Sequence, residues 1–349
     1  MDKTTAWVQD EAKGPLSKKD FSLKAGPGDA VVQVTACGVC HTDVGFWDGS
    51  VKPRGGFPLV LGHEASGIVK EAADKSLIGK QVVIPSVWPC GECGPCKAGR
   101  ETACLKQKMP GNDVPGAFAG HVVVPARCLA PVPKPVSTEQ LQQMSVTADA
   151  IATPMEAVIR SGLKAGDYAV VVGTGGLGSF MVQLARIRGA KVVAIDVNDV
   201  ALNRAKEYGA TATVNVTGLS DKDVKGKVKG LAKELGATDW GWKIFETSGT
   251  TPGQKTAYDL LGPAATLMVV GYTPNKLELR LSNLMAFDAS ALGVWGSTPR
   301  ALTEAVDLVA NGKITIAPFV ELRSMKDVNE VLHLAHDGKL SRRVVLLPE

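Results

Sequence analysis

Four cysteines stand in the run Cys90-Gly-Glu-Cys93-Gly-Pro-Cys96 and at Cys104. Spacings this tight bring four thiolates around one tetrahedral ion, and the pattern reads as a closed structural zinc site. A cage of four thiolates leaves no coordination position open, so chemistry needs a second group of residues. The chain offers one in Cys40-His41-Thr42-Asp43, Gly62-His63-Glu64 and Asp149. The competing reading of the cage, a set of unrelated buried cysteines, does not account for C-x2-C-x2-C with a fourth cysteine close by.

A third motif is Gly173-Thr174-Gly175-Gly176-Leu177-Gly178, a G-x-G-x-x-G run directly after the apolar segment Ala169-Val-Val-Val172. Its glycines permit a tight turn and a close approach of the backbone to a pyrophosphate, which meets the positive end of the following helix. Asp196 ends the next apolar segment. At that place a carboxylate accepts from the adenosine ribose hydroxyls and repels a 2′-phosphate, which favours NAD over NADP. The alternative for Asp196 is a cap on the helix that begins near Asp199.

The elements that must position these groups change in texture along the chain. Up to about residue 150, short apolar stretches at 30–34, 66–69, 81–84 and 121–124 are separated by Gly, Pro and polar clusters, an irregular all-β pattern. Beyond it, strands expected at 168–172 and 191–195 alternate with helices at 177–188 and 199–208. Further strands at 243–245, 265–270 and 291–295 alternate with helical runs at 224–235 and 253–261, which extends one doubly wound parallel sheet. A helix at 300–311, an apolar segment at 314–319, a helix near 328–336 and an apolar ending at 343–347 form a tail expected to return to the first domain.

The 349 residues suit two domains of ordinary size, and 45% hydrophobic with 21% charged residues is the composition of a well-cored protein. A net charge of +4 from scattered basic residues points to neither nucleic acid nor a membrane surface as partner. Apolar runs are short, so no bilayer span is expected. Seven cysteines spaced for metal, with no apolar leader at the start, fit a reducing cytoplasm. Cys37 and Cys128 are left as small buried hydrophobes.

Taken together, C-H-T-D, G-H-E, the four-cysteine lobe and the dinucleotide fold resemble the zinc-containing medium-chain alcohol dehydrogenases over essentially the whole chain. The resemblance implies a GroES-like β-rich catalytic domain over 1–149, a Rossmann NAD-binding domain over 150–296 and a C-terminal return over 297–349. It implies Cys40, His63 and Asp149 as ligands of a catalytic zinc, with Glu64 an intermittent fourth ligand or a carboxylate beside it. By the same resemblance Thr42 contacts the substrate oxygen, His41 lies near the cofactor pyrophosphate, Asp43 orients His63, and Thr153 joins the cofactor contacts. Two zinc ions per chain and NAD are the implied cofactors, and a homodimer or homotetramer the implied assembly. A zinc ion with three protein ligands keeps one position open and acts as a Lewis acid on an alcohol. Asp149 stands where many relatives carry cysteine, an equally anionic but harder donor. Gly45 stands where well-known relatives carry a histidine that passes the alcohol proton outward.

Lys108-Met-Pro-Gly-Asn112, Thr147-Ala-Asp-Ala150, Gly241-Trp-Lys-Ile-Phe-Glu246, Pro318-Phe-Val-Glu321 and Gly338-Lys-Leu-Ser-Arg-Arg-Val-Val-Leu346 are similar to a narrower family, the 6-hydroxycyclohex-1-ene-1-carbonyl-CoA dehydrogenases. That likeness implies NAD-linked oxidation of the ring hydroxyl of a cyclic enoyl-CoA in anaerobic aromatic breakdown. Lys52 and Arg54, beside Gly55-Gly56, are then candidate contacts for coenzyme A phosphates, against the plainer reading of a solvated basic loop. The competing enzyme readings are an NADH-dependent reductase of a conjugated double bond in a cyclic dienoyl-CoA and a generic secondary-alcohol or polyol dehydrogenase. A non-catalytic dinucleotide-binding protein would be expected to lack the second ligand set, which is present here.

Overall fold

The computed structural model describes residues 3–349. The chain forms two compact units, one from residues 3–152 with Gly296–Glu349 and the other Thr153–Trp295. In the first unit a seven-stranded sheet runs in the order Val320–Ser324, Arg343–Leu347, Asp29–Gly38, Glu64–Ala72, Gln81–Ile84 and Ala130–Pro131, with His121–Pro125 also pairing Asp29–Gly38. A three-stranded sheet, Leu16–Ser22, Lys3–Gln9 and Leu59–Val60, lies in the same unit. The central strand, DAVVQVTACG, is buried along most of its length. Its Val32 and Val34 form a core with Val69, Val82, Phe118 and Val124. Irregularities between Val31 and Val32 and between Val34 and Ala36 bend this strand as it leads into Cys40.

The second unit is a six-stranded parallel sheet in the order Ala212–Asn215, Lys191–Asp196, Tyr168–Val172, Lys243–Glu246, Thr266–Val269 and Ser290–Gly293. Parallel strands covered on both faces are apolar throughout, and YAVVV at 168–172 is buried at every residue. Strand order reverses at Tyr168–Val172, the switch point at whose carboxyl edge such sheets bind ligands. A β-rich first unit and a doubly wound parallel sheet in the second are thus both present, as expected from the sequence.

Several boundaries differ. Strand Lys3–Gln9 alternates in burial, but its residue types, KTTAWVQ, do not alternate in hydropathy, and Leu16–Ser22 holds two exposed lysines, so pattern alone passes over both. The segment 314–319 closes in a short 3-10 turn at Ala317–Phe319, and the strand starts only at Val320. Pro318, which lacks a ladder donor, explains the delay. No helix among the described residues is long and apolar enough to cross a membrane.

Candidate functional site

The four-cysteine lobe is built from fragments too short to fold alone. Cys93 caps the helix Gly94–Lys97, which has Pro95 in its first turn, and Cys104 closes the 3-10 turn Glu101–Ala103. Sulfur separations are 3.4 Å for Cys93–Cys96, 3.7 Å for Cys93–Cys104 and 4.0 Å for Cys90–Cys96. A tetrahedron with zinc–sulfur bonds of about 2.3 Å has edges of about 3.8 Å, so the donor set fits zinc. Backbone amides support the thiolate form: Cys90 N donates to Cys104 Sγ at 3.2 Å and Cys93 N to Cys90 Sγ at 3.4 Å. The amides of Cys96 and Leu105 pull the Cys93 thiol down to about 6, whereas desolvation pushes Cys96 up to about 12. Four thiolates this close ionise together only around a cation.

The second group is assembled by Asp43. Cys40 caps the helix His41–Trp47, and Asp43 Oδ2 accepts from the Cys40 amide at 3.0 Å in a capping box. Its other oxygen accepts from Gly62 N at 3.0 Å and His63 Nδ1 at 3.1 Å, all fully removed from solvent. One carboxylate therefore binds together the segments that carry Cys40 and His63. Because Nδ1 donates to Asp43, Nε2 keeps its lone pair for a metal. Gly62 has φ of +96°, and a Cβ there would lie 2.6 Å from the Phe118 ring and 2.8 Å from Cys37 Sγ, so only glycine brings His63 into this position.

Asp149 follows the buried 3-10 turn Met144–Ala148. Its Oδ2 lies 3.9 Å from both Cys40 Sγ and His63 Nε2, and Thr42 Oγ1 is 3.8 Å from Cys40 Sγ. One donor atom from each of Cys40, His63, Glu64 and Asp149 lies within 4.8 Å of all the others. Glu64 Oε1 accepts from the Arg343 guanidinium at 2.5 Å, while its buried Oε2 has no partner. Burial raises the Glu64 carboxyl to about 7 even though the Arg343 charge opposes the rise. Burial also works against charge on His63, but Asp43, Asp149 and Cys40 together hold its pKa well above the usual imidazole range. Four acidic groups thus face one buried guanidinium and one imidazole, a donor set short of positive charge and suited to a divalent cation. His41, first in the motif helix, is held below its usual range by desolvation and by the Arg343 charge.

Arg343 is the site residue that sequence reasoning passed over. It heads the strand Arg343–Leu347, and a single cation opening RVVLL in the interior of a sheet is the available signal. Its guanidinium is buried, and the charges of Glu64, Cys40 and Asp149 more than offset the penalty that burial places on it.

In the second unit the glycine motif runs from the strand Tyr168–Val172 into the helix Gly178–Ile187. Gly173, at φ +87°, packs so closely that a Cβ would lie 2.6 Å from Ser248 Cα, and a Cβ on Gly178 would strike the Gly173 carbonyl. Gly175 and Gly176 are exposed, and a Cβ at Gly175 would meet nothing within 4 Å, which leaves room for a phosphate at the helix start near Leu177. Asp196 Oδ2 accepts from Thr174 N at 2.6 Å and Thr174 Oγ1 at 2.9 Å, and Oδ1 from the amides of Val197 and Asn198. Asn198, not Asp196, caps the next helix through Val200 N and Ala201 N. Thr153 is buried in the helix Ala152–Ser161.

Lys52 is exposed, but Arg54 is not a spare cation. Its guanidinium pairs with Asp113 at 2.8 Å, and the loop is fastened by Arg54 N to Asn112 Oδ1 and Gly55 N to Asn112 O. All seven cysteines are free, and Cys37 and Cys128 are buried.

Residues 26–134 match the family described as alcohol dehydrogenase GroES-like domain, and residues 176–311 that described as zinc-binding dehydrogenase. An alcohol dehydrogenase of Geobacillus stearothermophilus is 32% identical over 351 residues, covering 98% of each chain. Among solved structures, the alcohol dehydrogenase of Aeropyrum pernix is 28% identical with a TM-score of 0.86 over 99% of this chain and 100% of its own. A zinc-binding dehydrogenase of Sinorhizobium meliloti bound to NADP is 26% identical with a TM-score of 0.86 over 100% of each chain. The chain belongs to the zinc-dependent medium-chain alcohol dehydrogenase family. It is an oxidoreductase of the alcohol dehydrogenase type, an enzyme class that acts on CH–OH groups with zinc and a nicotinamide dinucleotide.

Proposed function

We propose that this enzyme moves hydride between NAD and a secondary alcohol at the group formed by Cys40, His63, Glu64 and Asp149. The observation that carries this reading is the convergence of those four donors within 4.8 Å, with Asp43 fixing one side and Arg343 compensating the other. Cys40, His63 and Asp149 would hold the catalytic zinc, with Glu64 as an intermittent ligand, and the four-cysteine lobe would hold a structural one. Zinc bound there supplies Lewis-acid stabilisation to an alcohol oxygen that is losing its proton. The Thr42 hydroxyl, 3.8 Å from Cys40 Sγ, would hydrogen-bond that oxygen and, as it takes the alcohol proton, give its own to water. Asp43 keeps His63 in the tautomer that leaves Nε2 free, and Arg343 keeps Glu64 from adding an uncompensated charge. Gly45 carries no side chain to take the proton further.

NAD is the preferred dinucleotide in this proposal, because Asp196 presents a carboxylate beside the glycine loop. Asp196→Arg should move the NADP-to-NAD ratio of kcat/KM upward by at least about tenfold, through removal of like-charge repulsion against a 2′-phosphate. Steady-state kinetics with both cofactors reads this. Equal efficiency of the unmodified protein with the two would contradict the ribose role of Asp196.

For the substrate we propose the ring hydroxyl of 6-hydroxycyclohex-1-ene-1-carbonyl-CoA, oxidised to the 6-oxo product; its support is the set of sequence segments that resemble that narrower family. Since Arg54 is paired with Asp113, Lys52 is the better candidate of the two for a coenzyme A phosphate. A panel of cyclic acyl-CoA thioesters and the corresponding free alcohols, assayed with NAD and NADH, tests the substrate directly. The expected result is NAD-linked ketone formation from the thioester, with acyl-CoA KM raised at low salt in the Lys52→Ala/Arg54→Ala double variant and NAD KM unchanged. Equal turnover of the free alcohol would reject the thioester, an unchanged acyl-CoA KM would reject the loop, and NADH-linked loss of a conjugated double bond would identify a dienoyl-CoA reductase instead. A homodimer or homotetramer in a reducing cytoplasm completes the proposal. Seven free cysteines support the compartment, and the exposed apolar side chains of Leu281 and Met285 support the assembly.

A further inference from the structure

Glu246 ends the strand Lys243–Glu246 and is 1% exposed, so its carboxylate has left water, which is tolerable only where other donors replace it. Its Oε1 accepts three hydrogen bonds, from Ser248 N at 2.8 Å, Ser248 Oγ at 2.6 Å and Gly249 N at 3.0 Å. Its Oε2 has no partner, and a Cβ on Gly271 would come within 2.7 Å of it. The carboxylate therefore fastens the turn at 247–249 from behind.

That turn is pressed against the glycine loop. Thr247 Oγ1 donates to the Gly173 carbonyl at 2.7 Å and to the Val172 carbonyl at 3.1 Å, and Thr247 N to Val172 O at 2.9 Å. Ser248 forms the wall that leaves no room for a side chain at Gly173. Ser248 Oγ also lies 3.1 Å from Thr250 Oγ1, the cap of the helix Thr251–Asp259. The course of the backbone through Gly173 is thus set by residues 247 and 248, and these are set by Glu246. An apolar side chain could fill the same volume without stranding an oxygen, but only an acceptor holds the three donors, and a carboxylate holds them with charge-assisted bonds.

We propose that Glu246 is a positioning residue for the cofactor pyrophosphate, acting through the turn at 247–249 on the glycine loop without touching the cofactor. The inference rests on reading residues 173–178 as the pyrophosphate seat. It separates two parts of dinucleotide recognition: Asp196 serves the adenosine end, and Glu246 serves the phosphates.

The test uses the full zinc-loaded enzyme, with ADP-ribose and AMP as calorimetric probes beside the kinetics of NAD. Glu246→Ala should weaken ADP-ribose by about tenfold, raise the KM for NAD by a similar factor, and change AMP binding by less than about twofold, since AMP lacks the pyrophosphate. Turnover at saturating NAD should stay within about twofold, because the loop acts on binding and not on the hydride step. Glu246→Gln should restore most of the ADP-ribose affinity, since its amide oxygen accepts the same donors. If the alanine variant does not fold, Ser248→Ala, which removes the 2.6 Å donor, should still weaken ADP-ribose selectively. Equal losses for AMP and ADP-ribose, or an unchanged ADP-ribose affinity, would overturn the proposal. An unmodified protein that binds neither ADP-ribose nor NAD would instead remove the reading of residues 173–178, and this inference with it.

Discussion

Asp149→Asn should lower turnover by at least about a hundredfold and take the zinc content from two ions per chain toward one, because loss of the anionic ligand proposed here would cost more than the 10- to 100-fold typical of groups behind the ligands. Asparagine keeps the size and shape of the side chain, so the buried turn Met144–Ala148 that carries it should survive. What changes is the charge facing Cys40 Sγ and His63 Nε2, each 3.9 Å from the Asp149 oxygen. A neutral amide oxygen holds a divalent cation less well than a carboxylate. Metal analysis and steady-state kinetics on one preparation read both effects. Retention of two zinc ions together with full turnover would mean that Asp149 is not a ligand.

The second large effect is expected from Cys93→Ser, and it falls on stability. Between Cys90 and Cys104 few side chains are buried apart from the cysteines themselves, and Leu105 beside them is 79% exposed. The lobe has no apolar core, so the metal takes the place of one. With one thiolate lost, the content should fall to one zinc per chain, and protease should cut within 90–104. A loss of about 3 kcal/mol corresponds to roughly 10 °C in the melting temperature for a unit of this size. Unchanged melting, zinc content and protease resistance would show that the four sulfurs do not share an ion.

Legibility in the sequence followed the range of the interactions. The cage and the glycine turn are local: the four cysteines span 14 positions and the glycines fewer, and the residue types carry the geometry. Strand 168–172 was visible as an unbroken apolar run, and its agreement with Tyr168–Val172 follows from burial on both faces. Asp43 was legible as a partner of His63 through the family resemblance, but its hold on the Cys40 and Gly62 amides was not, since backbone donors leave no mark on residue type. Arg343 was not legible as a site residue either. It reaches Glu64 across 279 positions, and the register that joins them depends on the whole sheet. The pairing of Arg54 with Asp113, 59 positions away, was equally invisible in the local sequence.

The place of Arg343 also bears on how the enzyme comes into being. Its strand lies between Val320–Ser324 and Asp29–Gly38, so the first unit's sheet is completed by residues made after the entire second unit. The contiguous stretch 153–295 has all its own strands while the nascent chain still lacks this one. Until Arg343 emerges from the ribosome, Glu64 has no guanidinium to offset it among three other acidic groups. The cysteine lobe has all four sulfurs by residue 104, whereas the group of Cys40, His63, Glu64 and Asp149 gains its compensating guanidinium only at residue 343, after the whole second unit.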